Sequence, residues 1–215
     1  MASNGFFLVI EGLDGSGKTE ITRRLLAILQ QTHSDNVKLT YEPHDPSCAG
    51  PFIRQVLAHQ LAYTSARTLA LAFAANRADH NDREIGPYLD GADHRIVICD
   101  RYYLSSLVYQ VSADVSIDEV MGLSAHARKP DLTIFLNADD DVCYGRMRQR
   151  GEDQQLFEER LGETRRKYRV AIDYARKQGD RIFEVDANHE IPAVLQDVLG
   201  ILASQGPGWL RTLSA

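Results

Sequence analysis

Apolar residues in this chain fall into short unbroken runs, separated by longer stretches in which they recur every three or four positions. Five runs read as strands: residues 6–10 (FFLVI), 37–41, 95–99, 132–136 and 181–185. Their continuous apolarity suits strands covered on both faces rather than one. In residues 19–31, Ile21, Leu25, Leu26, Ile28 and Leu29 share one helical face. Further helices are predicted at about 52–60, 64–90, 103–110, 116–127, 139–150, 155–178 and 190–203. Strands alternating with helices predict an α/β fold, a five-stranded parallel sheet between two helical layers. Ligands bind such sheets beyond the carboxyl ends of the strands. That places Asp14, Glu42, Asp100 and the neighbourhood of Asn137 along one rim. The tail, about 204–215, contains Gly206-Pro207-Gly208 and is expected to be loosely held, with Trp209 docked on the domain or on a partner.

Length changes the picture little: 215 residues predict a single domain, 1–215, with at most a small lid. Charge changes it more. A net charge of −6 provides no global basic field, so neither nucleic acid nor an anionic membrane is an expected partner. A polyanionic substrate must be held by local arginines and backbone amides. Cys48, Cys99 and Cys143 are odd in number and widely spaced, which suggests neither a disulfide framework nor a zinc site. No secretory pattern opens the chain, and no apolar run approaches the ~20 residues that span a bilayer. The expected setting is soluble, reducing and cytoplasmic.

Residues 12–19, Gly-Leu-Asp-Gly-Ser-Gly-Lys-Thr, fit G-x-x-x-x-G-K-[ST] between a strand and a helix. The glycines let the backbone curl so that several N–H groups of Gly12, Gly15, Ser16 and Gly17 face inward, an anion nest at a helix N-terminus. Lys18 can bridge β- and γ-phosphates, and the Thr19 hydroxyl can ligate Mg²⁺. This P-loop predicts a nucleoside triphosphate, ATP with Mg²⁺, on a P-loop NTPase three-layer α/β/α scaffold. Asp100, directly after the third strand, can organise Mg²⁺ opposite Thr19. Asp14 inside the loop either faces the phosphoryl acceptor or bonds its own turn. Glu42, before Pro43, is either a rim carboxylate or an exposed loop acid.

Arginines supply the positive charge that phosphoryl transfer requires. Arg101 adjoins Asp100. Phe73 and Arg77 stand four apart on one helix face, so a ring and a guanidinium could meet a flat heterocycle there; core plus surface is the alternative. Residues 146–169 carry Arg146, Arg148, Arg150, Arg160, Arg165, Arg166, Lys167 and Arg169. Gly151 interrupts them, and a mobile lid over about 145–160 is one reading, with Arg148 and Arg150 reaching phosphates. A solvated helix paired with Glu152, Glu158, Glu159 and Glu163 is the other.

Four segments together resemble the thymidylate kinase family of the nucleoside monophosphate kinases. They are the P-loop with its strand (7–19), Leu71-Ala72-Phe73-Ala74-Ala75-Asn76-Arg77-Ala78-Asp79-His80, Asp100-Arg101-Tyr102-Tyr103 through Tyr109-Gln110, and Lys129-Pro130-Asp131-Leu132-Thr133. The resemblance spans about residues 5–200. It implies that Phe73 stacks on thymine, Arg77 bonds a base carbonyl, and Ser106 and Gln110 line the base pocket. It also implies that Arg101 and Arg54 hold the monophosphate, Tyr109 lies against the sugar C2′, and Asp14 contacts the 3′-hydroxyl side. With Gly at position 15, it assigns the transition-state arginine to the lid, Arg148 or Arg150. It further implies a homodimer packed through helices. Three positions depart from the family pattern. Tyr41 stands where an arginine is common, with His44 a candidate replacement; Val111-Ser112-Ala113-Asp114 replaces a glycine-rich segment; Gln155-Leu156-Phe157-Glu158 replaces an acid- and arginine-bearing lid motif.

The leading expectation is therefore an ATP- and Mg²⁺-dependent kinase converting dTMP to dTDP for dTTP biosynthesis. Lys18, Asp14, Arg101, Arg148 and Arg150 are its candidate catalytic residues. The alternatives are a related kinase acting on another pyrimidine deoxynucleotide or a deoxynucleoside, with Glu42 as base, and a nucleotide-binding protein without turnover.

Overall fold

The structure, a computed structural model, describes residues 5–62, 65–149, 151 and 161–213. The five predicted strands all form: β1 (Phe6–Gly12), β2 (Val37–Tyr41), β3 (Ile96–Asp100), β4 (Leu132–Asn137) and β5 (Ile182–Asp186). They make one parallel sheet in the order β2-β3-β1-β4-β5. Central β1 has Ile10 opposite Asp100 of β3 and Gly12 opposite Leu136 of β4. The strand order reverses at β1, so the crevice beyond its carboxyl end is the natural ligand site.

Nine α-helices connect the strands among the described residues: α1 (Lys18–His33), α2 (Gly50–Leu57), α3 (Ala66–His80), α4 (Gly86–Asp90), α5 (Tyr103–Tyr109), α6 (Ile117–Leu123), α7 (Asp140–Gln149), α8 (Leu161–Lys177) and α9 (Ile191–Gln205). Every residue of β1 is buried because helices cover both faces of the sheet. Phe6, Leu8 and Ile10 join the cluster that contains Ile21, Leu25 and Leu29 of α1 and Val194, Val198 and Leu202 of α9. Phe7 and Val9, pointing the opposite way, join Val97, Cys99, Ile85, Leu89, Tyr102 and Tyr103. Burying each large apolar side chain contributes about 1.5–3 kcal/mol before ordering entropy is subtracted.

Two expectations need correction. The helix predicted across 64–90 is α3, one wide π-turn over Asn81–Ile85, and α4. In that turn the Gly86 N–H reaches Asn81 O five residues back, and Pro87 has no N–H to restore ordinary spacing. The tail is not loose throughout. A 3₁₀ turn spans Gly208–Leu213, Leu210 is fully buried, and the Trp209 ring stacks on His94 at 4.7 Å and meets His33 edge-on at 5.6 Å. Trp209 thus docks on its own chain. Of the lid expected at about 145–160, residues 150 and 152–160 lie outside the described residues.

Candidate active site

The P-loop leaves β1 at Gly12 and enters α1 at Lys18. Gly15 has φ +82°, and a Cβ there would stand 2.4 Å from the carbonyl oxygen of Cys143 in α7. Only glycine allows that backbone and that approach. The same contact explains why no side chain, arginine included, could project from position 15. Lys18, buried at the loop's centre, donates from Nζ to Gly12 O (2.9 Å) and Leu13 O (2.7 Å). Burial, with Arg101 nearby, pulls its pKa down to about 8 from an ordinary 10.5, while Asp14, Asp100 and Glu11 oppose the shift.

A cleft of about 820 Å³ opens over this loop. Asp14, Gly15, Gly17, Lys18, Thr19 and Glu20 line one wall; Tyr41, Glu42, Asp100 and Arg101, at the ends of β2 and β3, line another; Arg146, Gln149, Glu190 and Ile191 close the far side. Burial pushes the Asp100 carboxyl up, against the pull of Lys18 and Arg101. Its Oδ1 is buried with no hydrogen-bond partner among the described residues, so it is an acceptor that a cation or its water would satisfy. With the Thr19 hydroxyl it offers the hard oxygen donors that Mg²⁺ takes.

Arg101 adopts φ +66°, an uncommon conformation for a residue with a Cβ and one that gathers at functional sites. Its N–H donates to Ile10 O at 3.0 Å. The guanidinium donates from Nη1 to Ser105 Oγ (3.1 Å) and Tyr168 Oη (2.9 Å), and from Nη2 to Asp14 Oδ1. The Tyr109 ring, 47% exposed, lies 5.7 Å from the guanidinium carbon. Asp14 thus carries an ion pair to Arg101, and Lys18 Nζ lies 3.9 Å from its Oδ1.

Below the cleft, Arg77 is buried and donates from Nε to Glu42 Oε2 (2.7 Å), from Nη1 to Ser124 Oγ (3.1 Å) and from Nη2 to Ser106 Oγ (2.8 Å). A guanidinium has five N–H groups, so two have no hydrogen-bond partner among the described residues. Phe73, half-buried, lies one turn earlier on α3. Gln110 Oε1 is buried and has no partner among the described residues. Glu42 is a buried partner of Arg77, not an exposed loop acid, and its Oε1 also meets His80 Nδ1 at 3.3 Å.

Arg54 and His44 turn elsewhere. Arg54 is exposed, donates to Asp45 and to Pro43 O (3.1 Å), and lies over the Tyr41 ring at 5.8 Å. The His44 ring stacks on that of His80 at 4.0 Å and 14°, with Nδ1 on Ser47 Oγ, and does not line the cleft. His44 therefore does not replace the missing arginine. Glu84 lies beside both histidines, within 3.6 Å of His44 Nε2 and 3.8 Å of His80 Nε2. Two nearly parallel rings cannot both aim an in-plane lone pair at one ion between them, so this group is a hydrogen-bonded stack.

Arg148 is exposed at the last turn of α7, and Arg150 lies outside the described residues. Lys167 pairs with Glu163 at 2.7 Å, as a solvated helix would. Arg165 does not; it reaches Asp139 at 2.6 Å beside β4.

Tyr168 and Glu11 are not singled out by the sequence, and Arg146 stands there only among the charges of 146–169. Arg146 donates to Ser16 O (3.1 Å), Ala187 O (3.0 Å) and His189 O (2.8 Å), joining the P-loop to the loop after β5. No local signal marks it: the approach of α7 to Gly15 that brings Arg146 to the P-loop is made by the fold. Tyr168, fully buried, heads an apolar stripe with Ala171, Ile172 and Ala175. Glu11, also fully buried, ends an otherwise apolar strand, and a buried carboxylate requires partners.

The chain matches the thymidylate kinase family over residues 10–198. It is 38% identical to a probable thymidylate kinase of Staphylothermus marinus, over 91% of this chain and 94% of the relative. It is 34% identical to a thymidylate kinase of Ruegeria pomeroyi, over 94% of this chain and 96% of the relative. The crystal structure of thymidylate kinase from Ehrlichia chaffeensis superposes with a TM-score of 0.67 at 26% identity, covering 93% of this chain and 99% of that one. The residues that build the cleft all lie inside the matched span, and this chain belongs to the thymidylate kinase family.

Proposed function

We propose that the protein transfers the γ-phosphate of ATP to dTMP, giving ADP and dTDP. The observation that carries this reading is one cleft in which the P-loop lysine faces Asp100 and Arg101 at the end of β3. Buried Arg77, with two N–H groups unpartnered among the described residues, lies beneath it. The ATP phosphates lie in the P-loop nest, and Lys18 exchanges its two carbonyl partners for phosphate oxygens. Thr19 and Asp100 would hold Mg²⁺, which would supply neutralising charge to the phosphates. Arg101 grips the acceptor monophosphate, whose oxygen is already anionic near neutral pH. No strong general base is needed, and positioning and charge neutralisation lower the barrier. Phe73 stacks on the base, Arg77 donates to a base carbonyl, Ser106 and Gln110 complete the base pocket, and Tyr109 packs on the sugar. Asp14 lies toward the 3′-hydroxyl side, Arg54 reaches the monophosphate on closure, and Arg148 or Arg150 delivers charge to the transferring phosphoryl group.

A deoxynucleoside acceptor would need a free base near its 5′-hydroxyl. Glu42 is the candidate, and both its oxygens are already engaged by Arg77 and His80. A phosphotransfer screen with ATP, Mg²⁺ and dTMP, dUMP, dCMP or thymidine tests the reading. Turnover is expected to be fastest with dTMP; turnover of thymidine but not dTMP would overturn it. The protein is further proposed to be a single domain that works as a homodimer in the cytoplasm. Exposed Leu57, Leu61 and Leu71 offer an apolar surface near α2 and α3, and light scattering after size exclusion checks the dimer.

A further inference from the structure

We infer that Glu11 is a positioning residue for Arg101, acting through the hydroxyls of Ser105 and Tyr168. The inference rests on the reading of Arg101 as the group that holds the acceptor phosphate. Glu11 is fully buried beneath the P-loop, at the end of β1. Its Oε1 accepts the N–H of Tyr102 (2.9 Å), next after Arg101, and of Ser105 (3.1 Å), in the first turn of α5. Its Oε2 accepts the hydroxyls of Ser105 (2.8 Å) and Tyr168 (3.1 Å). Those hydroxyls are the two that receive the N–H groups of Arg101 Nη1.

The hydrogens therefore run one way. Arg101 donates to two hydroxyls, and each hydroxyl passes its own hydrogen to one carboxylate oxygen. Cation and anion are joined without touching, and the guanidinium is left with Nη2 turned toward Asp14 and the cleft. The other carboxylate oxygen anchors the backbone just after the left-handed turn at Arg101. A bridged pair of this kind orients a charge while keeping it free for substrate; a direct Glu–Arg fork would occupy it.

Glu11→Gln is nearly isosteric but reverses this flow. Its carbonyl can keep the two amides, but its NH₂ then donates to hydroxyls that already receive Arg101, and their own hydrogens lose the carboxylate, leaving Tyr168 Oη with Gly12 O at 3.4 Å and the two hydroxyls with each other at 3.1 Å. Expected for Glu11→Gln is a rise of about tenfold or more in the dTMP KM with a fall in kcat, the size of a lost charge-assisted hydrogen bond. The ATP dissociation constant should stay within about twofold. Tyr168→Phe and Ser105→Ala, which keep the carboxylate, should each give part of the same acceptor-side loss, and they carry the test if Glu11→Gln does not fold. Arg101→Ala serves as the reference. In that background Glu11→Gln should cost little more, because its route is already gone. A folded Glu11→Gln with parental dTMP kinetics, or one whose loss is undiminished in the Arg101→Ala background, overturns the inference. If Glu11→Gln fails to fold, parental kinetics in both hydroxyl variants overturn it. If Arg101→Ala alone leaves the dTMP KM and kcat unchanged, the phosphate-holding reading of Arg101 is what fails.

Discussion

The P-loop cradle and the proposed acceptor pocket hold their cations by different means. At the P-loop, Lys18 is held by two main-chain carbonyls, five and six residues away in sequence. In the proposed acceptor pocket, Arg77 is held by side chains 29 to 47 residues distant: Ser106 of α5, Glu42 after β2 and Ser124 after α6. A cradle made of backbone depends on conformation, so glycine placement and helix entry define it. A pocket made of side chains depends on which residue occupies each of several elements. Changing the first means disturbing the loop; the second can be retuned one residue at a time.

The largest test of the contrast is at the donor end. Lys18→Ala should lower kcat by about a thousandfold, the cost of losing a preorganised charge at the transferring phosphate, while thermal unfolding stays cooperative. A rate within tenfold of the parent would mean that the cradle works by its amides alone. Next comes Glu42→Gln, which leaves Arg77 buried without its anionic partner. Unfolding free energy in denaturant should drop by about 3 kcal/mol, with ATP binding preserved. Loss of ATP binding in that variant would join two regions held here to be separate.

Gly15→Ala tests whether the loop is read as backbone. Its Cβ would press on the Cys143 carbonyl in a left-handed conformation, at a cost of about 2 kcal/mol. The ATP dissociation constant should rise by an order of magnitude, with little change in the dTMP KM at saturating ATP. Smallest is a pH effect. Lys18 in the free protein has its pKa lowered to about 8. Phosphates favour its charged form and raise that value, so binding takes up a proton above pH 8. ATP affinity should weaken as pH rises through 8, on the order of tenfold by pH 9.5. Calorimetry in buffers of different ionisation enthalpy would detect the proton; a flat profile from pH 7 to 9.5 would remove Lys18 as its source.

The same contrast explains what the sequence could disclose. The P-loop is contiguous, and its glycines and lysine carry their geometry with them. The strands were legible because both-face burial makes them uniformly apolar, and each was placed to within two residues at either end. Arg77 and Phe73 were legible as a pair, since helix periodicity puts them on one face. Nothing local showed that Glu42 would be the buried partner of Arg77, or that His44 would stack on His80. Glu11 and Tyr168 are 157 residues apart and meet only because α8 packs on α5 and β1 ends beneath it. The π-turn at Asn81–Ile85 was hidden for a different reason: an apolar period survives one wide turn, and only Pro87 hinted at it. The tail was misjudged because glycine and proline at 206–208 outweighed Trp209 and Leu210, whose pockets are made by distant residues.

The most direct test of the central claim, separate donor and acceptor sites with Arg77 reading the base, is Arg77→Ala followed at both ends. ATP binding is measured by calorimetry and dTMP turnover by steady-state assay. Expected are an ATP dissociation constant within about twofold of the parent and a kcat/KM for dTMP lowered about a hundredfold, the loss that follows removal of a buried hydrogen-bond donor to substrate. An unchanged dTMP KM and kcat in a folded Arg77→Ala protein would contradict that claim.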